Sequence, residues 1–210
     1  MTSSHPTPAP GQWFSRLASV LDRRSIPRLA MLFLGAVLAR GRRTVTSWIR
    51  AAQLSDQFRP CYTAVAAAGK KADSIAARLV FEAVKPLVVG DQRLTIALDD
   101  TPTPRYGPHV QGAGVHHNPA PGPAGSPYVY GHVFVVLGLL AAHPAWGVIA
   151  LPLLARMYVR KKDLLGIDPK HRPAFRTKLE LAVELLRWAG LWLGLLGKPL
   201  WVVEIGRAHV

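Results

Sequence analysis

The chain has 210 residues, half of them hydrophobic, which is enough for one medium domain or two small ones with a sizeable core. Its 26 Lys and Arg outnumber 12 Asp and Glu and give a formal charge of +14. Such an excess favours an anionic partner, either nucleic acid or an acidic membrane surface. The lone cysteine, Cys61, excludes an internal disulfide and a cysteine-based zinc site, and it fits a reducing compartment.

The first part of the chain is predicted to be helical. Residues 1–12 are rich in Pro, Ser and Thr and carry no signal-peptide pattern, so we expect a disordered lead-in there. From residue 13 to residue 90 apolar side chains recur at helical spacing, as in the stripe of Val45, Trp48 and Ile49. This segment is therefore expected to form several short helices.

Basic residues are concentrated in that helical segment. Residues 1–93 carry 14 Lys and Arg against 5 Asp and Glu, whereas residues 94–210 carry 12 against 7. Arg42, Arg43 and Arg50 flank the third apolar stripe and suit a helical DNA-binding region. The alternative is a plain helical bundle whose charges are only solvated.

A strand pattern follows and ends on two acidic residues. Leu94, Ile96 and Leu98 alternate, as in a half-buried strand, and Asp99 and Asp100 come directly after them. Alternation places Asp100 on the Leu94 face and Asp99 on the opposite face. One of the two could bind a metal ion, or both could only form turn hydrogen bonds before Thr101 and Pro102.

The segment from residue 103 to residue 128 is rich in Gly and Pro and is predicted to be a long loop. It contains His116 and His117. With no cysteine nearby, we interpret them as ordinary loop histidines that could contact phosphate, rather than as zinc ligands.

Residues 129–154 are strongly apolar and permit two interpretations. The stretch is long enough to span a bilayer, and a basic cluster of Arg160, Lys161 and Lys162 follows it. However, the HPAWG turn at residues 143–147 divides it into pieces too short to span as a helix. We therefore predict two buried strands, at 130–140 and 147–155, and no membrane partner. The basic cluster could contact a DNA backbone or be merely solvated.

The last part of the chain predicts a helix and one more strand. Pro173 is expected to open a helix over 174–189, with Phe175, Leu179, Val183 and Leu186 as its inward stripe. Residues 199–203 have a strand composition. Strands followed by a helix and a further strand suit an α/β fold with a mixed sheet.

Several segments together resemble insertion-sequence transposases of the DDE superfamily, also called DDE superfamily endonucleases. They are GRRTVTSWIRAAQLSD, ALDDTPTPRYG, VQGAGVHHNP and YGHVFVVLGLLAAHPAWGVIALPLLARMYVRKKD. The resemblance covers roughly residues 40–203. It implies a helical DNA-binding region at 13–90 and a partial ribonuclease H-like catalytic domain at 91–203.

The resemblance also implies a chemistry. Members of this family cut and join DNA with two Mg²⁺ or Mn²⁺ ions, which activate the attacking oxygen and stabilise the leaving one. In the family the first acidic ligand lies directly before a Thr, which favours Asp100 over Asp99 as the catalytic and metal-binding residue. The implied partners are insertion-sequence ends and target DNA, bound by a homodimer in the bacterial cytoplasm, in association with the nucleoid.

The C-terminal residues depart from the family pattern. After Val203 the family strand continues into a small residue, the second catalytic aspartate and a glycine, but here EIGRAHV follows. This heptapeptide matches a translated DNA-sequencing adapter, so we expect 204–210 to be a non-native read-through tail. We expect the parent gene to encode an aspartate shortly after codon 203 and a glutamate on a later helix. The truncated chain is then expected to be inactive.

Three functional hypotheses follow from the sequence. The favoured one is a fragment of a DDE transposase. The second is a non-enzymatic DNA-binding protein formed by the N-terminal helices, and the third is a small membrane protein spanning at 129–154. An acidic residue in a cleft at the centre of the sheet would favour the first over the second, and strands at 129–154 would exclude the third.

Overall fold

The computed structural model describes residues 10–42, 44–107, 109–118 and 125–204. The chain divides into two compact units, Met1–Val89 and Gly90–Val210. The first is helical and the second contains the sheet.

The helical unit is built from short helices. Its α-helices are α1 (Pro10–Ala18), α2 (Ser25–Leu38), α3 (Val45–Ala51), α4 (Phe58–Lys70), α5 (Ala72–Leu79) and α6 (Lys85–Leu87). A 3₁₀ turn, Ser55–Gln57, precedes α4, and a π-helical turn, Val80–Val84, joins α5 to α6. The predicted helical character of this segment is confirmed. Residues 10–12, which we expected in the disordered lead-in, belong to α1, and residues 1–9 lie outside the described part.

The core of the helical unit explains why α2 and α3 pack closely. Leu32, Ile49 and Cys61 are almost fully buried against one another. Gly35 on α2 faces the backbone of α3, where any Cβ would clash with the carbonyl oxygen of Trp48. Thr44 caps α3 by accepting a hydrogen bond from the Ser47 N–H at 3.2 Å. The stripe predicted around Trp48 and Ile49 therefore does face a core.

The second unit contains a mixed sheet. Its strands are β1 (Leu94–Pro104), β2 (Gly114–His117), β3 (Tyr128–His143), β4 (Gly147–Tyr158) and β5 (Leu200–Glu204). Strand β1 pairs antiparallel with β3 and parallel with β5, while β2 and β4 both pair antiparallel with β3. Three antiparallel strands extended by a parallel strand are the arrangement expected of a ribonuclease H-like domain, so the predicted fold class is confirmed.

The apolar stretch at 129–154 forms the hairpin of β3 and β4 and not a helix. The predicted HPAWG turn lies between the strands, and His143 pairs with Gly147 across it. Both strands are longer than predicted. Strand β3 extends to His143 at the turn and back to Tyr128, which pairs with β2, and β4 extends to Tyr158, which pairs with Val133. Among the described residues, no helix is long and apolar enough to cross a membrane.

One helix of this unit, α7 (Lys178–Trp192), packs on β3 and β4. It begins four residues later than predicted, because Thr177 rather than Pro173 caps it. The predicted stripe is therefore wrong: Leu179 is 78% exposed, and Phe175 and Val183 are also exposed. The buried face consists of Leu181, Leu185, Trp188 and Ala189, whose spacing of four, seven and eight residues is that of a single helix face.

Candidate active site at the end of β1

The acidic pair lies in the middle of the sheet. Strand β1 runs between β3 and β5, and Asp99 and Asp100 pair with Val136 and Val135 of β3. On the other side, β5 runs parallel to β1, and its last residue pairs with Leu98. Asp99 and Asp100 therefore follow directly after the last β1 residue that pairs with β5. Strand β1 itself continues to Pro104, so the acidic pair lies within the strand and not at its end, where the sequence pattern had placed it.

The two carboxylates have different surroundings. Asp99 is exposed, and its Oδ1 accepts the backbone N–H of Asp100 at 2.8 Å. The Asp100 side chain is 40% exposed, and its Oδ2 accepts a hydrogen bond from Lys178 Nζ at the start of α7. Because neighbouring residues of a strand face opposite sides, Asp100 lies on the α7 face of the sheet and Asp99 on the other.

A capping box holds the start of α7 in place. The Thr177 hydroxyl accepts the Glu180 N–H at 3.2 Å, and the Glu180 carboxylate accepts the Thr177 N–H at 2.6 Å. The Thr177 backbone N–H holds the pKa of Glu180 below its usual range, with a further contribution from the Thr177 hydroxyl. Lys178 is consequently fixed as the first helical residue. The sequence contains this signature, Thr followed three residues later by Glu, and the predicted helix start at Pro173 overlooked it.

Charge pairs tie α7 to the sheet beside this site. Arg156 of β4 donates to Glu184 at 2.7 Å, and Arg176 donates to the second oxygen of the same carboxylate. The Arg156 side chain is only 16% exposed, so water screens this pair less than a fully exposed one. The network fixes the side of α7 that carries Lys178.

His116 is placed differently from its prediction. It lies in β2 and not in a loop, it is 9% exposed, and its ring meets the edge of Tyr158 at 6.3 Å between centroids. Burial lowers the pKa of His116, and the positive charge of Arg160 lowers that pKa further. Its Nε2 has no hydrogen-bond partner among the described residues. The neighbouring His117, in contrast, is exposed.

The predicted DNA-contact residues fall into two groups. Arg42, which precedes α3, and Arg50, in the last turn of α3, are both exposed. Lys161 and Lys162 are exposed in a 3₁₀ helix after β4. Arg160 instead binds Asp163 at 2.5 Å and the carbonyl of Val115, so its guanidinium joins β2 to the end of β4. Arg43 lies outside the described residues.

The described residues offer carboxylate oxygens of the kind that suits a divalent cation. They contain no group of three or more His, Cys, Asp and Glu side chains that could hold a metal ion. The donor chemistry nevertheless fits, because Mg²⁺ and Mn²⁺ prefer carboxylate oxygens and Asp100 presents two of them on a rigid strand. Asp99 faces the other side of β1, so the two side chains do not point toward one ion.

Comparison with known proteins agrees with the mixed α/β fold. Residues 16–194 match the family described as DDE superfamily endonuclease. The chain belongs to this family. No curated protein matches the sequence. The family assignment supports a nuclease-type enzyme that acts on DNA, and DDE superfamily endonucleases generally use divalent metals. The matched residues come from both units and include Asp99, Asp100 and the whole of α7.

Proposed function

We propose that the chain supplies the DNA-binding region and the first metal-binding carboxylate of a transposase that cuts and joins DNA at insertion-sequence ends. The observation that carries the proposal is the position of Asp100. In a DDE-family chain, it is a partly exposed carboxylate in the central strand β1, directly after the residues that pair with the parallel β5. Asp99 is the alternative ligand, and it lies on the opposite face.

Each part of the site has a task in this proposal. Two divalent cations, when bound, would supply charge stabilisation for in-line displacement at phosphorus. Asp100 would hold such a cation on a strand that its two neighbours make rigid. The capping box at Thr177 and the pairs of Glu184 hold α7 beside it.

The helical unit would bind the DNA substrate. Arg42 and Arg50 are exposed and form no ion pair with a described residue, so their charges are available for phosphates. Arg43 belongs to the same proposed surface, and Lys161 and Lys162 extend phosphate contact to the second unit. A homodimer on two transposon ends, and residence in the cytoplasm with the nucleoid, complete the proposal.

Affinity cleavage tests the assignment of Asp100 directly. Fe²⁺ replaces Mg²⁺ at oxygen sites and, with ascorbate and peroxide, generates radicals that cut the polypeptide beside the bound ion. We expect cutting near residue 100 in the wild-type chain and in Asp99→Ala, and none there in Asp100→Ala. Cutting near residue 100 that is lost in Asp99→Ala and kept in Asp100→Ala would instead assign metal binding to Asp99. Cutting near residue 100 that survives both replacements would refute the metal site.

An activity measurement tests the reaction. In a protein that also carries the aspartate and glutamate expected beyond codon 203, Asp100→Ala should abolish Mg²⁺-dependent cleavage of labelled transposon ends and retain DNA binding. Folding should survive, because an ion pair this exposed contributes at most about 1 kcal/mol. Full cleavage with both Asp99 and Asp100 replaced would overturn the catalytic role of this acidic pair. DNA binding without any Mg²⁺-dependent cleavage in the protein that carries all three acidic residues would favour the second candidate, a non-enzymatic DNA-binding protein.

A further inference from the structure

The partner of Asp100 is a cation in an unusual position. Lys178 is the first residue of α7, and its side chain is 44% exposed. Its ammonium donates to Asp100 and also lies 5.6 Å from the centre of the Tyr158 ring. Asp100 and Lys178 are far apart in sequence, so the contact exists only because α7 packs on β3 and β4, on the face of the sheet that carries Asp100.

Helix electrostatics do not explain this lysine. The N-terminus of a helix carries a partial positive charge, so a cation in the first turn is unfavourable and an acidic residue is preferred. A half-exposed ion pair adds little stability in return. Local rules are commonly broken where a residue serves a site, which directs attention to what Lys178 does for Asp100.

We propose that Lys178 is an exchangeable counter-ion of Asp100, which a divalent cation displaces when it binds. The inference rests on the proposed function, since it requires Asp100 to be a metal ligand. Without metal, the ammonium neutralises the carboxylate and holds its rotamer. The ring of Tyr158 offers the displaced ammonium a second favourable position, because ring faces attract cations within about 6 Å. Lys178 thereby weakens metal binding by Asp100.

The tests use Mn²⁺, whose unpaired electrons broaden the NMR signals of nearby amides even when binding is weak. The chain is titrated as wild type, Lys178→Met and Asp100→Asn, and broadening is followed at Thr101 and Val135. Methionine keeps an unbranched stem and removes the charge. We expect Lys178→Met to bind Mn²⁺ about threefold to tenfold more tightly than wild type, because no ammonium has to be displaced or repels the ion. Asp100→Asn should show no local broadening.

Two further variants separate this effect from changes in net charge and packing. Lys170→Met removes one charge from an exposed lysine of the same unit and should leave the affinity unchanged. Lys178→Gln should reproduce the gain of Lys178→Met and covers the case in which methionine disturbs the helix start. Circular dichroism and thermal melts establish that each variant is folded.

The outcomes distinguish the inference from the proposed function. The broadening could depend on Asp100 and yet give the same Mn²⁺ affinity in wild type, Lys178→Met and Lys178→Gln. That result would overturn the counter-ion role of Lys178 and leave Asp100 as a metal ligand. An equal gain in Lys170→Met would also overturn it, since net charge would then explain the result. Broadening that is absent near residue 100, or unaffected by Asp100→Asn, would refute the metal role of Asp100 and the inference together.

Discussion

The basic residues that flank α3 in the helical unit differ from those that surround α7 and the end of β4 in the sheet unit. In the helical unit, Arg42 and Arg50 extend into solvent and form no ion pair with a described residue. In the sheet unit, Arg156, Arg160 and Lys178 each bind a carboxylate. Paired cations hold elements together, whereas unpaired cations leave their charge for a partner. The comparison therefore supports the proposal that the helical unit binds most of the phosphates while the sheet unit positions Asp100.

The largest effect is expected from undocking α7, because the charge pairs of the sheet unit depend on this helix. Leu185 is a fully buried residue on the face of α7 that packs on the sheet. Leu185→Ala should therefore lower the free energy of unfolding by about 2–5 kcal/mol. Leu179→Ala is the matched control: the same atoms are removed from the same helix at a side chain that is 78% exposed. Its effect should stay within about 0.5 kcal/mol. Urea unfolding measures both, and equal losses would mean that α7 presents another face to the sheet.

The next effect concerns DNA binding by the helical unit. Replacing Arg42, Arg43 and Arg50 with alanine should reduce affinity for duplex DNA and flatten its dependence on salt. Three lost phosphate contacts correspond to a change of about 2–3 in the log–log slope. The measurement is fluorescence anisotropy from low to moderate salt.

The matching change in the sheet unit sharpens the contrast. A double variant, Lys161→Ala and Lys162→Ala, removes two exposed cations outside the helical unit. We expect it to change the salt dependence of DNA affinity less than the replacement of the three arginines does. A lysine variant that matched or exceeded the arginine variant would break the comparison, because phosphate binding would then belong as much to the sheet unit.

The smallest effect concerns pH and the buried histidine of the sheet unit. Burial holds the pKa of His116 below that of an unfolded chain, so protons bind the unfolded state more readily. His116 therefore contributes its full stability above about pH 6.5 and loses it as the pH falls through the folded-state pKa. Melts between pH 7.5 and 5.5 should show a steeper loss for wild type than for His116→Phe. If the melting temperatures of wild type and His116→Phe fell in parallel with pH, the pKa of His116 would be the same in the folded and unfolded chains.

The strands of the sheet were the most predictable part of the fold. The alternation of Leu94, Ile96 and Leu98 and the turn before Gly147 are local signals, and both gave strands in the right places. Strand β2 was not predicted, because four residues among glycines and prolines carry too little periodicity. Its pairing with β3 makes it a strand and buries His116.

The candidate site also has a part that the sequence predicted and a part that it did not. That Asp99 and Asp100 belong to a strand follows from the sequence, and alternation correctly put them on opposite faces. The sequence placed them at the end of that strand, but pairing with β3 continues β1 to Pro104. Which face contains α7 could not be predicted, since it depends on how the helix packs. The error over Leu179 has the same origin: the helix start at Lys178 shifts the inward face to Leu181 and Leu185.

The sequence by itself determined the helical first unit, the strand–turn–strand pattern, the acidic pair and the excess of positive charge. These are set by short-range backbone geometry and by composition, which any stretch of chain displays without its partners. Only the tertiary structure decided that Lys178 meets Asp100, that Arg160 is bound within the protein and that His116 is buried. Each of these depends on sheet register and helix packing, which bring together residues that are distant along the chain and carry no mutual signal in it.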